Sequence, residues 1–139
     1  MKLDLILRVA TKLLLPFILL FGLYVQFHGD YGPGGGFQAG VISAAMVILY
    51  AITFGLEAAK RIVPPAVVVP MIPLGVLIFA GTGVATMLLG DNYLAYNALD
   101  HHDPAHGQHL GILIVEFGVL VTVAGTMTAL FYAFAGRGR

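Results

Sequence analysis

The sequence predicts an all-α membrane protein that crosses a bilayer four times, and three observations predict it. Only 10% of its 139 residues are charged against 59% hydrophobic, and the mean hydropathy is +0.93. Soluble domains carry roughly 25% charged residues, so water is not the solvent for most of this surface. The chain also contains four apolar runs, each near the ~20 residues a helix needs to cross the hydrocarbon core. Finally, all seven Lys and Arg fall at the N-terminus, between the second and third runs, or at the C-terminus. That is the cation bias of a multi-pass membrane protein.

The four runs are residues 9–27, 37–56, 66–90 and 110–134, within a single transmembrane unit of residues 1–139. None carries the polar stripe at helical period that a helix of a soluble bundle shows. Before the first run stand Lys2, Arg8 and Lys12, and Pro16 predicts a kink near the cytoplasmic end by removing the hydrogen bond to the Lys12 carbonyl. A basic N-terminus before an apolar run also fits a signal peptide. No A-x-A site follows, however, and the run reads as a retained anchor.

The second run leads into Lys60 and Arg61, and the third opens on Pro64, Pro65, Pro70 and Pro73, where an ordinary helix start is expected. Arg137 and Arg139 follow the fourth. The other two connections, residues 28–36 and 91–109, hold Asp30, Asp91, Asp100 and Asp103 but no Lys or Arg. Both termini are therefore expected in the cytoplasm. Tyr24, Tyr31, Tyr93 and Tyr96 on the outer side and Tyr132 on the inner side read as an interfacial aromatic belt.

Composition removes several function classes. Balanced charge leaves no basic excess for nucleic acid, and the absence of cysteine removes disulfides, thiolate zinc sites and iron–sulfur clusters. No catalytic triad, paired acid and base or cofactor cradle is visible, so neither enzymatic chemistry nor a cofactor is expected.

Three features carry candidate function. Helices in lipid approach closely where small residues share a face. Gly111, Gly118 and Gly125 recur every seven residues in the fourth run, and Gly40, Ala44, Ala51 and Gly55 form a row in the second. The simplest reading packs these two rows on each other within the subunit. Glu116 lies about 9 Å along the helix from Leu110 and about 160° around it from Gly118. An acid inside hydrocarbon is costly unless protonated, paired or wetted, so it is either an ion-handling carboxylate or a protonated or hydrogen-bonded acid holding an interface. Because two opposite faces then need protein, contact with another subunit is expected.

The connection from His28 through Asp30 to Gly36 lacks the Lys and Ser/Thr of a phosphate loop and the T-V-G-Y-G run of a potassium filter. It reads as a fixed turn whose amides could meet a carboxylate or carbonyl from a neighbour. The third feature is the run His101, His102, Asp103, His106 and His109. It could bind zinc or nickel or collect protons, but its spacing fixes no ligand geometry, and it reads first as polar loop.

The stretch from Pro16 and Phe17 through Phe27, His28 and Gly29, running into Pro33, Gly34, Gly35, Gly36, Phe37, Gln38, Ala39 and Gly40, resembles the MnhB component of the multisubunit cation/proton antiporters of the Mrp (Mnh) type. Gln108 to Val119, with Glu116 before Phe117, Gly118 and Val119, is similar to a second block of that family. The resemblance covers most of the chain. It implies a small accessory subunit of a hetero-oligomeric, proton-driven Na+/H+ antiporter in the bacterial cytoplasmic membrane, needed for assembly and for part of an ion path. It further implies other antiporter subunits, lipid, Na+ and H+ as partners, with Glu116, His28 and Asp30 as candidates for the ion path or a subunit interface.

Three alternatives remain open at this level. A homologous subunit of a complex I-related hydrogenase-type machine fits the same blocks. A self-sufficient homo-oligomeric channel fits the small-residue rows, and a membrane metalloenzyme fits the histidine loop.

Overall fold

The computed structural model describes residues 2–137, with Met1, Gly138 and Arg139 outside the described residues. Five α-helices follow in order: α1 (Lys2–His28), α2 (Gly36–Phe54), α3 (Leu56–Ile62), α4 (Pro65–Leu88) and α5 (Pro104–Ala135), with a 3-10 turn at Tyr96–Leu99 before α5. All except α3 are long and apolar enough to cross a membrane.

The boundaries follow local chemistry. Helix α2 stops at Phe54 because Gly55 adopts φ 99, a left-handed conformation that suits glycine. The expected run to residue 56 therefore overshoots, and the chain re-enters helix as α3, which carries Lys60 and Arg61 in its last turn. Pro64 caps α4 and Pro65 occupies its first turn, where a missing N–H costs nothing. The expectation of an ordinary helix start at this proline cluster matches that geometry. Asp103 caps α5 by accepting bonds from the Ala105 and His106 amides at 3.0 and 3.2 Å, and Pro104 fills the first helical position. The fourth helix thus begins six residues before the expected Leu110.

Helix α5 is central, with α4 on one side and α2 on the other, and α1 packs mainly on α2. The small residues work differently from the expected α2–α5 pairing of the two rows. A Cβ on Gly118 would lie 2.8 Å from the Gly75 carbonyl of α4, and one on Gly125 would lie 2.9 Å from Met71 Cβ. Gly111 receives the Tyr96 ring. The α5 glycine stripe therefore faces α4 and the 3-10 turn. Gly40 of α2 meets Leu120 and Val123, on a different side of α5. Thr122 reinforces the α4 contact by donating to the Ile72 carbonyl at 3.0 Å.

The tyrosines also depart from a simple belt. Tyr132 is buried and donates to the Val63 carbonyl at 3.0 Å, while Tyr93 and Tyr96 fill the clefts at Gly83 and Gly111. Only Tyr24 and Tyr31 of the five are free to face outward over most of their surface. The described cations gather at one end of the bundle. Lys12 Nζ sits 5.6 Å from the Phe54 ring centroid, Arg137 lies beside Phe134, and α3 follows directly on Phe54.

Candidate functional site: the Glu116 recess

The site begins with the way α1 ends. The His28 carbonyl accepts from the Tyr31 and Gly32 amides at 3.0 Å each, and the Val25 carbonyl accepts from the Gly35 amide at 3.1 Å. These bonds fold residues 29–35 back over the last turn of α1. There is room for this only without side chains. A Cβ on Gly34 would lie 2.6 Å from the Val25 carbonyl, and Gly35 holds φ +127. Pro33 stiffens the turn by fixing its own φ.

The doubled-back turn presses onto Glu116. A Cβ on Gly29 would stand 2.7 and 2.8 Å from the two Glu116 carboxylate oxygens, and one on Gly35 would stand 2.9 Å from Oε1. Gly36 packs on the Glu116 backbone carbonyl. The carboxylate from a neighbour that the glycine turn was expected to meet thus comes from the same chain. Glu116 and Gly118 do lie on opposite faces of α5, but both are covered from within, by the turn and by α4. The inference that these two faces require another subunit is overturned.

Glu116 is level with the point where α1 ends and α2 begins. It lies 19 residues, about 29 Å along the helix, from Ala135 and about 18 Å from Pro104.

Beside it opens a recess of about 340 Å³ bordered by Gln26, Asp30, Tyr31, His106, His109 and Glu116, with Phe27, Leu110 and Leu113 as apolar walls. Asp30, whose side chain is 15% exposed, pairs with Nδ1 of His109, and this bond fastens the turn to the start of α5. The Tyr31 ring stacks on His109 with centroids 6.0 Å apart. Gln26 is 2% exposed, and neither its amide nitrogen nor its oxygen has a hydrogen-bond partner.

His28 lies at the edge of this group, stacked on Tyr24 at 5.3 Å and shielding Gly32. Phe27 and Phe37 are largely exposed, and so are Pro16 and Phe17 further down α1. The structure thus brings Glu116, Asp30, Gly29, Gly35 and Gly36 together and leaves the other motif residues as scaffold or outer surface.

Sequence reasoning passed over Gln26 and the Asp30–His109 pair. Gln26 was legible as the one amide in an apolar run, and such a group needs a partner. The pair joins residues 79 positions apart and left no local signal.

The histidine loop is organised by its acids. Asp100 accepts from the His102 and Asp103 amides and pairs with His106 Nδ1 at 2.9 Å. The hydrogen bond from His106 first, then those two amides, hold its carboxyl below the usual aspartate range. Among the described residues no three potential ligands converge on a metal position.

The chain matches the family model described as "Domain related to MnhB subunit of Na+/H+ antiporter" over residues 6–129. It belongs to the MnhB family. Relatives include "Putative antiporter subunit mnhB2" of Staphylococcus haemolyticus strain JCSC1435, 33% identical over 135 residues that cover 96% of this chain and 95% of the relative. The protein of the same name from Staphylococcus aureus strain Newman shows the same identity and coverage. With four helices fit to cross a membrane, this MnhB-family chain is a multi-pass bacterial membrane protein.

Proposed function

We propose that this chain is a small membrane subunit of a multisubunit Na+/H+ antiporter, contributing to assembly and, through Glu116, to an ion path. The observation that carries the reading is the near-full-length match to relatives named as antiporter subunits. The glycine turn folded onto Glu116 supports the second part. A structural acid is better served by donors than by a wall of glycine backbone facing an open recess. Both termini lie in the cytoplasm, in keeping with the cations gathered at one end of the bundle. The chain moves Na+ and H+ with its partner subunits and does not act as an enzyme.

The test is purification of the intact complex through a tag on this chain, followed by transport assays of Glu116→Gln in vesicles. Other antiporter subunits should copurify, and the variant should assemble normally while transport falls at least tenfold. Transport by this chain alone in liposomes would replace the reading with a self-sufficient carrier. Unchanged transport by Glu116→Gln would leave the subunit assignment and remove the ion path.

A further inference from the structure

We infer that the recess beside Glu116 is a water-filled proton entrance, in which the Asp30–His109 pair takes protons from the aqueous phase and water held by Gln26 passes them to Glu116. The inference rests on the reading of Glu116 as an ion-handling group and identifies the ion as the proton.

Three independent features support it. The first is Gln26, an enclosed amide with both polar atoms unpartnered. Leaving such a group unsatisfied costs about 1–3 kcal/mol per donor or acceptor, and buried water is the usual remedy where a polar space adjoins. The recess that Gln26 borders is such a space, and about 340 Å³ is ample for several waters.

The second is the mouth. His109 is half exposed while its partner Asp30 is largely covered, so the pair bridges bulk water and the interior. Asp30 accepts the Nδ1 proton of His109, which leaves Nε2 free to take a proton from outside.

The third is the target. Glycine positions 29 and 35 bring bare backbone to the Glu116 carboxylate, where any side chain would shut water out. The titratable groups on the recess are Asp30, Tyr31, His106, His109 and Glu116, and no lysine or arginine competes for the acid there.

The step balances simply. The imidazole–carboxylate pair gains one proton from bulk water and gives one to the recess water. That water passes a proton to a Glu116 oxygen, and the pair returns to neutral imidazole and carboxylate. No redox partner is needed.

Two measurements on the intact complex test this. The chain has no native cysteine, so single cysteines report water directly. In open membrane fragments, Glu116→Cys should react with a small charged methanethiosulfonate at least tenfold faster than Leu130→Cys on the exposed apolar surface of α5. Adding Gln26→Leu should slow that reaction tenfold. Reaction as slow as at Leu130→Cys, or no effect of Gln26→Leu, overturns the hydrated recess. If Glu116→Cys does not assemble, Leu113→Cys, which keeps the acid and lines the same recess, takes its place with the same two outcomes.

In sealed vesicles, His109→Ala should slow proton-coupled transport about tenfold, and added imidazole should restore it. Undiminished transport, or a loss that imidazole does not rescue, overturns the proton entrance. Either failure leaves the Glu116→Gln result, and with it the broader reading of Glu116, untouched.

Discussion

Glycine at positions 29, 35 and 36 serves close approach more than flexibility, and substitution separates these roles. Alanine at Gly29 would put its Cβ 2.6 Å from Gly35 Cα and within 2.8 Å of both Glu116 oxygens. Backbone cannot yield cheaply there, so Gly29→Ala should cost about 1–3 kcal/mol, as overpacking does. Gly81, helical and with nothing within 4 Å of where an alanine methyl would sit, offers the contrast. Gly81→Ala should be neutral or stabilising by up to about 1 kcal/mol, and thermal unfolding of the two variants in detergent checks the difference. Asp100 makes a separate prediction. Its carboxyl is held low by His106 and two amides, so its ionised form is favoured in the folded loop. The order it confers is complete above the ordinary aspartate pKa of 3.8 and is lost as pH falls through the lower folded value. Amide exchange of His102 and Asp103 should stay protected down through the ordinary aspartate range and rise only below it. Asp100→Asn should abolish that dependence. The residue types at this site were legible in the sequence, but their meeting was not. Gly29 and Glu116 are 87 positions apart, and nothing local encodes which turn a buried acid will face.

At the scale of elements, the four long helices were legible because lipid demands long apolar runs and leaves few alternatives. Their ends were less so, for identifiable reasons. Asp103 and Pro104 are a standard helix start, masked in the sequence by the density of histidines around them. Gly55 inside an apolar row reads as a packing residue until its positive φ is seen. The small-residue rows were recognised as packing surfaces, but periodicity identifies a face and not its partner, and α4 claims the Gly118 face. That pairing is testable because its polar contribution is small and its steric one large. Thr122→Val removes the bond to the Ile72 carbonyl and should cost only about 0.6 kcal/mol, the average for interhelical hydrogen bonds in membranes. Gly118→Val would drive methyls into the Gly75 carbonyl and Ile78 and should prevent α4 from docking. A cysteine pair crosslinking α4 to α5 near Met71 and Gly125 should therefore form in the Thr122→Val background and fail in the Gly118→Val background.

At the scale of the whole molecule, the bundle is asymmetric in a way that sets its place in a membrane. Helix α5, with 32 residues, is about 48 Å long, while α2, with 19, is about 29 Å. Helices α2 and α5 both end near the cationic end, so the excess of α5 projects at the opposite end, beside the 3-10 turn and the Asp100–His106 pair. The recess therefore lies close to one aqueous phase, and the orientation of the chain decides which. Lys and Arg resist translocation, which puts Lys12, Lys60, Arg61 and Arg137 in the cytoplasm and the recess on the outer side, where protons enter when the gradient is directed inward. Cysteine placed at Arg137 and at His102, one at a time, should sort accordingly. In intact cells a membrane-impermeant thiol reagent should modify His102→Cys and spare Arg137→Cys until the membrane is opened. The reverse pattern would turn the recess to the cytoplasm, where the same Asp30–His109 pair would release protons from Glu116 instead of supplying them.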